Sequence, residues 1–316
     1  MRILFMGSPD FNRGYLERIK EIGKDDIIGV FTKPDRPKGR GHKIIFSEVK
    51  KFALDNKIPL FQPKSIRKGD VIEGIKSLKP ELILVIAYGH ILPGEIIQIP
   101  ANGCINIHFS LLPKYRGPAP IQWALLNGER ITGVTSILMD EIVDHGRIVV
   151  QGRVEILPDD NFLSLQERLL NKGLDTMAGA LDLIRAGNPP LEVQDERLVT
   201  FAPLIKKVDG EIVWQDSAEC IYNRVRALNP WPSTFTHLKG KRLKILGARP
   251  IGEIHNSALK EGVPGQIVQL ERDKGFIVQC GDGFLLVTDV QMENKAVCKA
   301  YDFAQGARIN IGDRLN

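Results

Sequence analysis

Residues 1–32 read MRILFMGSPDFNRGYLERIKEIGKDDIIGVFT. Residues 2–6 are an apolar run that stops at Gly7, as a buried strand does. Pro9 opens a helical reading through Ile22, because proline is tolerated in the first turn of a helix and not inside one. Residues 27–32 form a second apolar strand. Strand, helix, strand in that order predicts a parallel sheet with helices on its faces. The turn after the first strand, Gly-Ser-Pro-Asp, lacks the Gly-x-Gly-x-x-Gly of dinucleotide sites, which disfavours a nicotinamide or flavin nucleotide.

The same grammar runs on to residue 188. A helix is expected over 47–56, capped by Ser47, and strands over 82–87, 104–109, 132–139 and 147–156. The continuous apolar run 82–87 suits the centre of a parallel sheet. Helices are expected over 119–126 and 162–184, the second ending at Gly187 before Pro189-Pro190. Residues 189–208 lack a sustained period and read as a linker between a first domain, 1–188, and a second, 209–316. In the second, a helix over 217–228 precedes short strand runs at 234–238, 244–248, 266–269, 275–279 and 284–290. Turn residues such as Asp282-Gly283 separate them, as in a small β-barrel.

A hydrophobic share of 43% with 26% charged residues places the chain among ordinary globular proteins, and a net charge of +5 permits an acidic partner without requiring one. Cys104, Cys220, Cys280 and Cys298 show no paired spacing, which argues against a zinc site or a disulfide framework and for reduced thiols. The opening apolar run is too short for a secretory signal and no stretch reaches membrane-spanning length, so a cytoplasmic setting is expected.

Chemistry concentrates in residues 104–120, CINIHFSLLPKYRGPAP. Strand periodicity puts Asn106 and His108 on one face. An amide there can donate to a developing oxyanion, and an imidazole can carry a proton near neutral pH. Taken alone, the pair fits loop anchoring equally well. Residues 33–43, KPDRPKGRGHK, hold five Lys or Arg among eleven, with prolines and glycines that argue against a regular element. Such runs are usually solvated; the two glycines and the place just after a strand end favour contact with nucleic-acid phosphates. Residues 88–93, YGHILP, form a strand-end loop suited to a flat ligand, because Gly89 permits close approach. Residues 140–146, DEIVDHG, make a turn with three carboxylates and a histidine.

Asn106-Ile-His108, Ser110-Leu-Leu-Pro113 and Lys-Tyr-Arg-Gly-Pro-Ala-Pro at 114–120 together resemble the core of the folate-dependent formyltransferases. MGSPDF at 6–11, KPDRPKGRG at 33–41, AYG at 87–89, TFAP at 200–203, LNPWP at 228–232 and GKRLKIL at 240–246 carry the resemblance across nearly the whole chain. The family's trio is an Asn, a His two residues on and a later Asp, which match Asn106, His108 and Asp144.

The resemblance implies an α/β architecture: a Rossmann-like formyltransferase domain with a parallel-rich sheet, followed by a small OB-like β-barrel domain. It implies 10-formyltetrahydrofolate as donor and methionyl initiator tRNA as acceptor; the chemistry requires no metal, and a monomer is expected. Attack of the amine on the formyl carbon makes the carbonyl oxygen negative, and a donor such as Asn106 can be worth about 3 kcal/mol there. Asp144 would hold the His108 imidazole and favour its cation. The folate would lie near Ala87, Tyr88, Gly89, Leu92 and Asp140, with Ser110, Leu111, Leu112 and Pro113 contributing. Arg40 would contact tRNA, with Arg36, Lys38, Lys43, Lys206, Lys207 and the basic stretch 239–244 in support.

Three positions depart from the family pattern. Ile142 stands where glycine is usual, and a β-branched residue takes a positive φ poorly, so a differently shaped approach to Asp144 is expected. His145 replaces a small hydroxyl residue, and Phe109 is expected to narrow the neighbouring pocket. A formyltransferase acting on a nucleotide-linked amino sugar is the nearest rival; the basic loop favours tRNA. A non-catalytic tRNA-binding relic is the rival from another class, and the intact trio opposes it.

Overall fold

The computed structural model describes residues 1–35, 37–38, 43–252 and 262–316. They form two compact units: Met1–Pro120 with Ile131–Glu155 and Glu167–Ala202, and Ile121–Arg130 with Ile156–Gln166 and Pro203–Asn316.

The first unit opens as β1 (Arg2–Gly7), α1 (Asn12–Ile22) and β2 (Asp26–Phe31). Next come the two-residue strands β3 (Pro37–Lys38) and β4 (Lys43–Ile44), then α2 (Glu48–Asp55), β5 (Leu60–Phe61) and α3 (Gly69–Leu78). The strand β6 (Leu82–Ile86), α4 (Gly94–Ile97), β7 (Cys104–His108), α5 (Pro120–Leu126), β8 (Ile131–Leu138), β9 (Arg147–Glu155) and α6 (Phe162–Arg185) complete the first half of the chain. Seven strands make one sheet in the order β5-β2-β1-β6-β7-β8-β9. It is parallel from β5 to β7 and antiparallel across β8 and β9.

Every residue of β6 is buried, as a strand covered on both faces requires. Ile3, Leu4, Phe5 and Met6 of β1 are equally enclosed, and each such side chain stabilises the fold by about 1.5–3 kcal/mol. α1 buries Tyr15, Leu16 and Ile19, at helical spacing, and ends on Gly23 at φ 68°. Buried Asn12 donates from Nδ2 to the Ile86 carbonyl at 3.0 Å, tying α1 to the carboxyl end of β6. Ser47 caps α2 as expected, its Oγ accepting the Lys50 N–H at 3.2 Å.

The basic loop differs from its reading. Pro37 pairs with Ile44 and Lys38 with Lys43 in a minimal antiparallel ladder, so a regular element does form there. Two residues per strand suffice for it, and proline is tolerated on an edge. Arg36 and Arg40 lie outside the described residues.

The second unit carries α7 (Ala218–Leu228), β10 (Thr234–Leu238), β11 (Lys241–Ile251), β12 (Ile267–Glu271), β13 (Gly275–Gln279), β14 (Phe284–Met292), β15 (Cys298–Lys299) and α8 (Ala300–Gly306). Its antiparallel sheet runs β10-β11-β14-β13-β12, with β15 on β14. Ile221, Leu243, Ile245, Phe276, Val278, Leu285 and Val287 fill one core with Trp214, whose Nε1 donates to Thr236 Oγ1 at 3.0 Å. The last residues close the two ends of this path. His237 and Asn316 exchange backbone hydrogen bonds at 2.8 and 2.9 Å, while Leu315 N–H donates to Gly265 O at 2.8 Å and Ile267 N–H to Asp313 O at 2.9 Å. No helix among the described residues is long and apolar enough to cross a membrane.

The thiols divide by burial. Enclosure in apolar surroundings pushes Cys104 and Cys280 up to about 12, whereas Cys220 is exposed. A thiol reagent at pH 8 is therefore expected to modify Cys220 quickly and to reach Cys104 and Cys280 only after denaturant is added. Mass spectrometry of the modified peptides checks it, and rapid native labelling of Cys104 would contradict this packing.

Candidate active site

β7 lies where the sheet changes sense, parallel to β6 on one side and antiparallel to β8 on the other. Val85 pairs with Asn106, and Thr135 with His108, which fixes both side chains in register on one face. The turn after β8 folds back and brings Asp144 to the same place. Asn106 Nδ2 donates to Asp144 Oδ1 at 3.3 Å, and His108 Nδ1 stands 3.5 Å from the same oxygen. The three residues expected from the resemblance are thus brought together, and both His108 and Asp144 are largely withdrawn from water.

Two further partners, not foreseen from the residues, orient the trio. His108 Nε2 is 2.9 Å from the Tyr115 carbonyl, which only accepts, so Nε2 carries a hydrogen and donates it. Gly117 N–H donates to Asp144 Oδ2 at 2.8 Å. Tyr115 and Asp144 hold left-handed φ values of 64° and 54°. Ile142 is not among the positive-φ residues; the left-handed conformation in this loop is taken by Asp144, which tolerates that region better than a β-branched residue.

The proline loop is braced by the segment following α6. Tyr115 N–H donates to Thr200 Oγ1 at 2.9 Å, Arg116 N–H to Thr200 O at 2.9 Å, and Ala202 N–H to Arg116 O at 2.7 Å. Arg116 is buried and pairs with Glu196 at 2.8 Å; its hydrogen bond holds the Glu196 carboxyl below the usual carboxylate range. His145 Nδ1 meets Asp140 Oδ2 at 2.5 Å and its Nε2 lies 3.5 Å from Glu196. His145 thus faces a carboxylate from each ring nitrogen.

A cavity of about 560 Å³ opens beside the trio, within the range of small-ligand sites. Asn106, His108 and Asp144 line it together with Ala87, Tyr88, Gly89, Leu92 and Asp140. Ile91 and Ile142, both exposed, give it an apolar rim. Phe109 also lines it, fixed edge-to-face against Phe11 with centroids 5.9 Å apart. Burial pushes the Tyr88 phenol up to about 12, and its oxygen has no partner among the described residues. His90 beside it is lowered by burial and by Lys33. An unpaired buried hydroxyl, a mostly apolar wall and carboxylates at one end fit a flat ring with polar edges.

Ser110, Leu111, Leu112 and Pro113 do not line this cavity. Ser110 Oγ donates to Lys114 O at 2.6 Å, and Leu112 N–H to Thr135 Oγ1 at 3.1 Å, so their polar groups shape the loop from within. Lys38 and Lys43 sit on β3 and β4. Lys206 and Lys207, in the second unit, are exposed, as are Lys239, Lys241 and Arg242.

Residues 1–181 match the formyl transferase family, and residues 204–308 match the formyl transferase C-terminal domain. The chain belongs to the formyl transferase family. A methionyl-tRNA formyltransferase of Geobacter metallireducens is 43% identical over 315 residues, covering 100% of this chain and 98% of that one. Two solved structures share the fold of this formyl transferase. The N-formyltransferase of Helicobacter canadensis, complexed with folinic acid and dTDP-3-aminofucose, superposes with TM-score 0.64 at 18% identity, covering 92% of this chain and 99% of that one. HypX of Aquifex aeolicus, complexed with tetrahydrofolic acid, has TM-score 0.64 at 18% identity and covers 99% of this chain. The chain spans about half of HypX, 48% of its length.

Proposed function

We propose that this formyl transferase moves a formyl group from 10-formyltetrahydrofolate to the α-amino group of methionine on initiator tRNA, the step that prepares the first residue of a new polypeptide. The meeting of Asn106, His108 and Asp144 on the wall of one cavity supports this reading. So does the full-length similarity to a methionyl-tRNA formyltransferase.

When bound, the folate supplies a formyl carbon activated by the nitrogen that carries it. Ala87, Tyr88, Gly89, Leu92 and Asp140 would hold its ring in the cavity. Asn106 Nδ2 donates to the carbonyl oxygen as negative charge gathers there, a contribution of about 3 kcal/mol for one well-placed donor. His108, fixed through Nε2 by Tyr115 O, turns Nδ1 towards Asp144. As imidazolium it donates through both nitrogens and adds a positive charge beside the oxyanion. Asp144 Oδ1 faces both partners and can take up the proton that the attacking amine gives up; the bond from the tetrahedral carbon to the folate nitrogen then breaks, and that proton goes to the leaving nitrogen to give tetrahydrofolate.

Arg36, Lys38, Arg40, Lys43, Lys206 and Lys207 would contact tRNA phosphates, which position an acceptor without reading its sequence. A cytoplasmic setting with reduced thiols and a monomeric enzyme accompany this reading.

The decisive assay gives the purified protein 10-formyltetrahydrofolate with methionyl initiator tRNA, with free methionine, or with a nucleotide-linked amino sugar. Formylation of the tRNA-borne methionine alone is expected. Transfer to the sugar with none to tRNA would replace this reading by its rival.

A further inference from the structure

We propose that Gln194, on the segment after α6, is a positioning residue that sets Asp144 in its working geometry. The inference rests on the functional reading above. Gln194 is 5% exposed, and all of its hydrogen-bonding capacity is used. Its Nε2 donates to the Asp144 carbonyl at 2.9 Å and to the Gly146 carbonyl at 2.8 Å. Its Oε1 accepts from Arg116 Nε at 3.1 Å and Nη2 at 2.9 Å. The amide can sit only one way round: a guanidinium only donates and the two carbonyls only accept.

The connection to chemistry is short. Asp144 stands in the left-handed region, a conformation that persists only when its surroundings over-determine it. Gln194 grips the main chain of the loop at Asp144 and Gly146, while Gly117 N–H grips the Asp144 carboxylate. Arg116 adjoins Gly117 in sequence and is itself bound to Gln194, so both grips share one brace. A fully satisfied buried network of this kind is stiff, and removing one member leaves its partners unpaired.

Gln194→Glu tests this most sharply. The variant keeps the shape and the attraction to Arg116 but sets a carboxylate oxygen against the two carbonyls. Gln194→Met serves as a second variant with no added charge. With wild-type enzyme active, both variants are expected to lower kcat about 100-fold with KM for folate and tRNA nearly unchanged, as a misplacement near 1 Å does. In an Asp144→Asn background, Gln194→Glu should cost less than about threefold more, because coupled residues are not additive. Wild-type kcat in both variants, or effects that multiply in the double variant, would overturn the proposal.

Hydrogen exchange supplies a readout independent of activity. The peptide containing Gly117 should exchange about tenfold faster or more in Gln194→Glu, with the core of β6 unchanged. Unchanged protection at Gly117 would overturn the positioning role even in a protein that formylates nothing, whereas an inactive wild type overturns only the functional reading.

Discussion

Asp144→Asn is expected to lower kcat for formyl transfer by about 10³–10⁴-fold, the scale seen when a carboxylate orienting a catalytic histidine is neutralised. Asp144 touches both other members of the trio, at 3.3 Å from Asn106 and 3.5 Å from His108. An amide in its place keeps the volume and removes the charge. Whichever way the new amide turns, its NH₂ faces a donor: Asn106 Nδ2 on one side, or Gly117 N–H on the other. The trio then loses both its orientation and the anion that supports an imidazolium. Filter binding should give an unchanged Kd for initiator tRNA, while single-turnover formylation should show the loss. A variant that formylates at the wild-type rate would remove Asp144 from the chemistry.

Gly117→Ala should damage stability and activity together. Gly117 has φ 125°, a region that side chains rarely enter, and an added Cβ would lie 2.6 Å from the Ala202 carbonyl oxygen. Strain and overlap with backbone cost about 3 kcal/mol or more. For a chain of this size that lowers Tm by roughly 5 °C or more. The folded fraction should also lose much of its rate, because moving residue 117 pulls its N–H away from Asp144 Oδ2. Calorimetry and kcat measured below the transition test the two parts separately. A wild-type melting curve would mean that the loop yields where the geometry says it is pinned.

Much of this molecule could be read from its residues, and the reason differs from place to place. β1 and β6 were legible because continuous apolar runs bounded by glycine or proline have few other fates. The trio was legible because Asn106 and His108 sit two apart on a strand, and Asp144 followed from the resemblance. α3 was not read: it buries only Ile72 and Ile75 and contains Gly69 and Gly74, too little periodicity to stand out. α8, seven residues long, was missed for the same reason. The residues that orient the trio were invisible for another cause. Tyr115 acts through a carbonyl and Gly117 through an amide, groups every residue possesses. Gln194 lies 50 residues from Asp144 in a stretch without period, and only the folded chain shows their contact.

The pairing of residues 313–316 with both ends of the antiparallel sheet has a bearing on solubility. Bare edge strands present rows of free N–H and C=O groups, ready templates for another chain. Here His237 on β10 and residues 265–267 at the start of β12 spend those groups on Asn316, Leu315 and Asp313. Residues 313–316 thereby occupy backbone groups at both edges at once, and without them those N–H and C=O groups would be open to pairing with another strand.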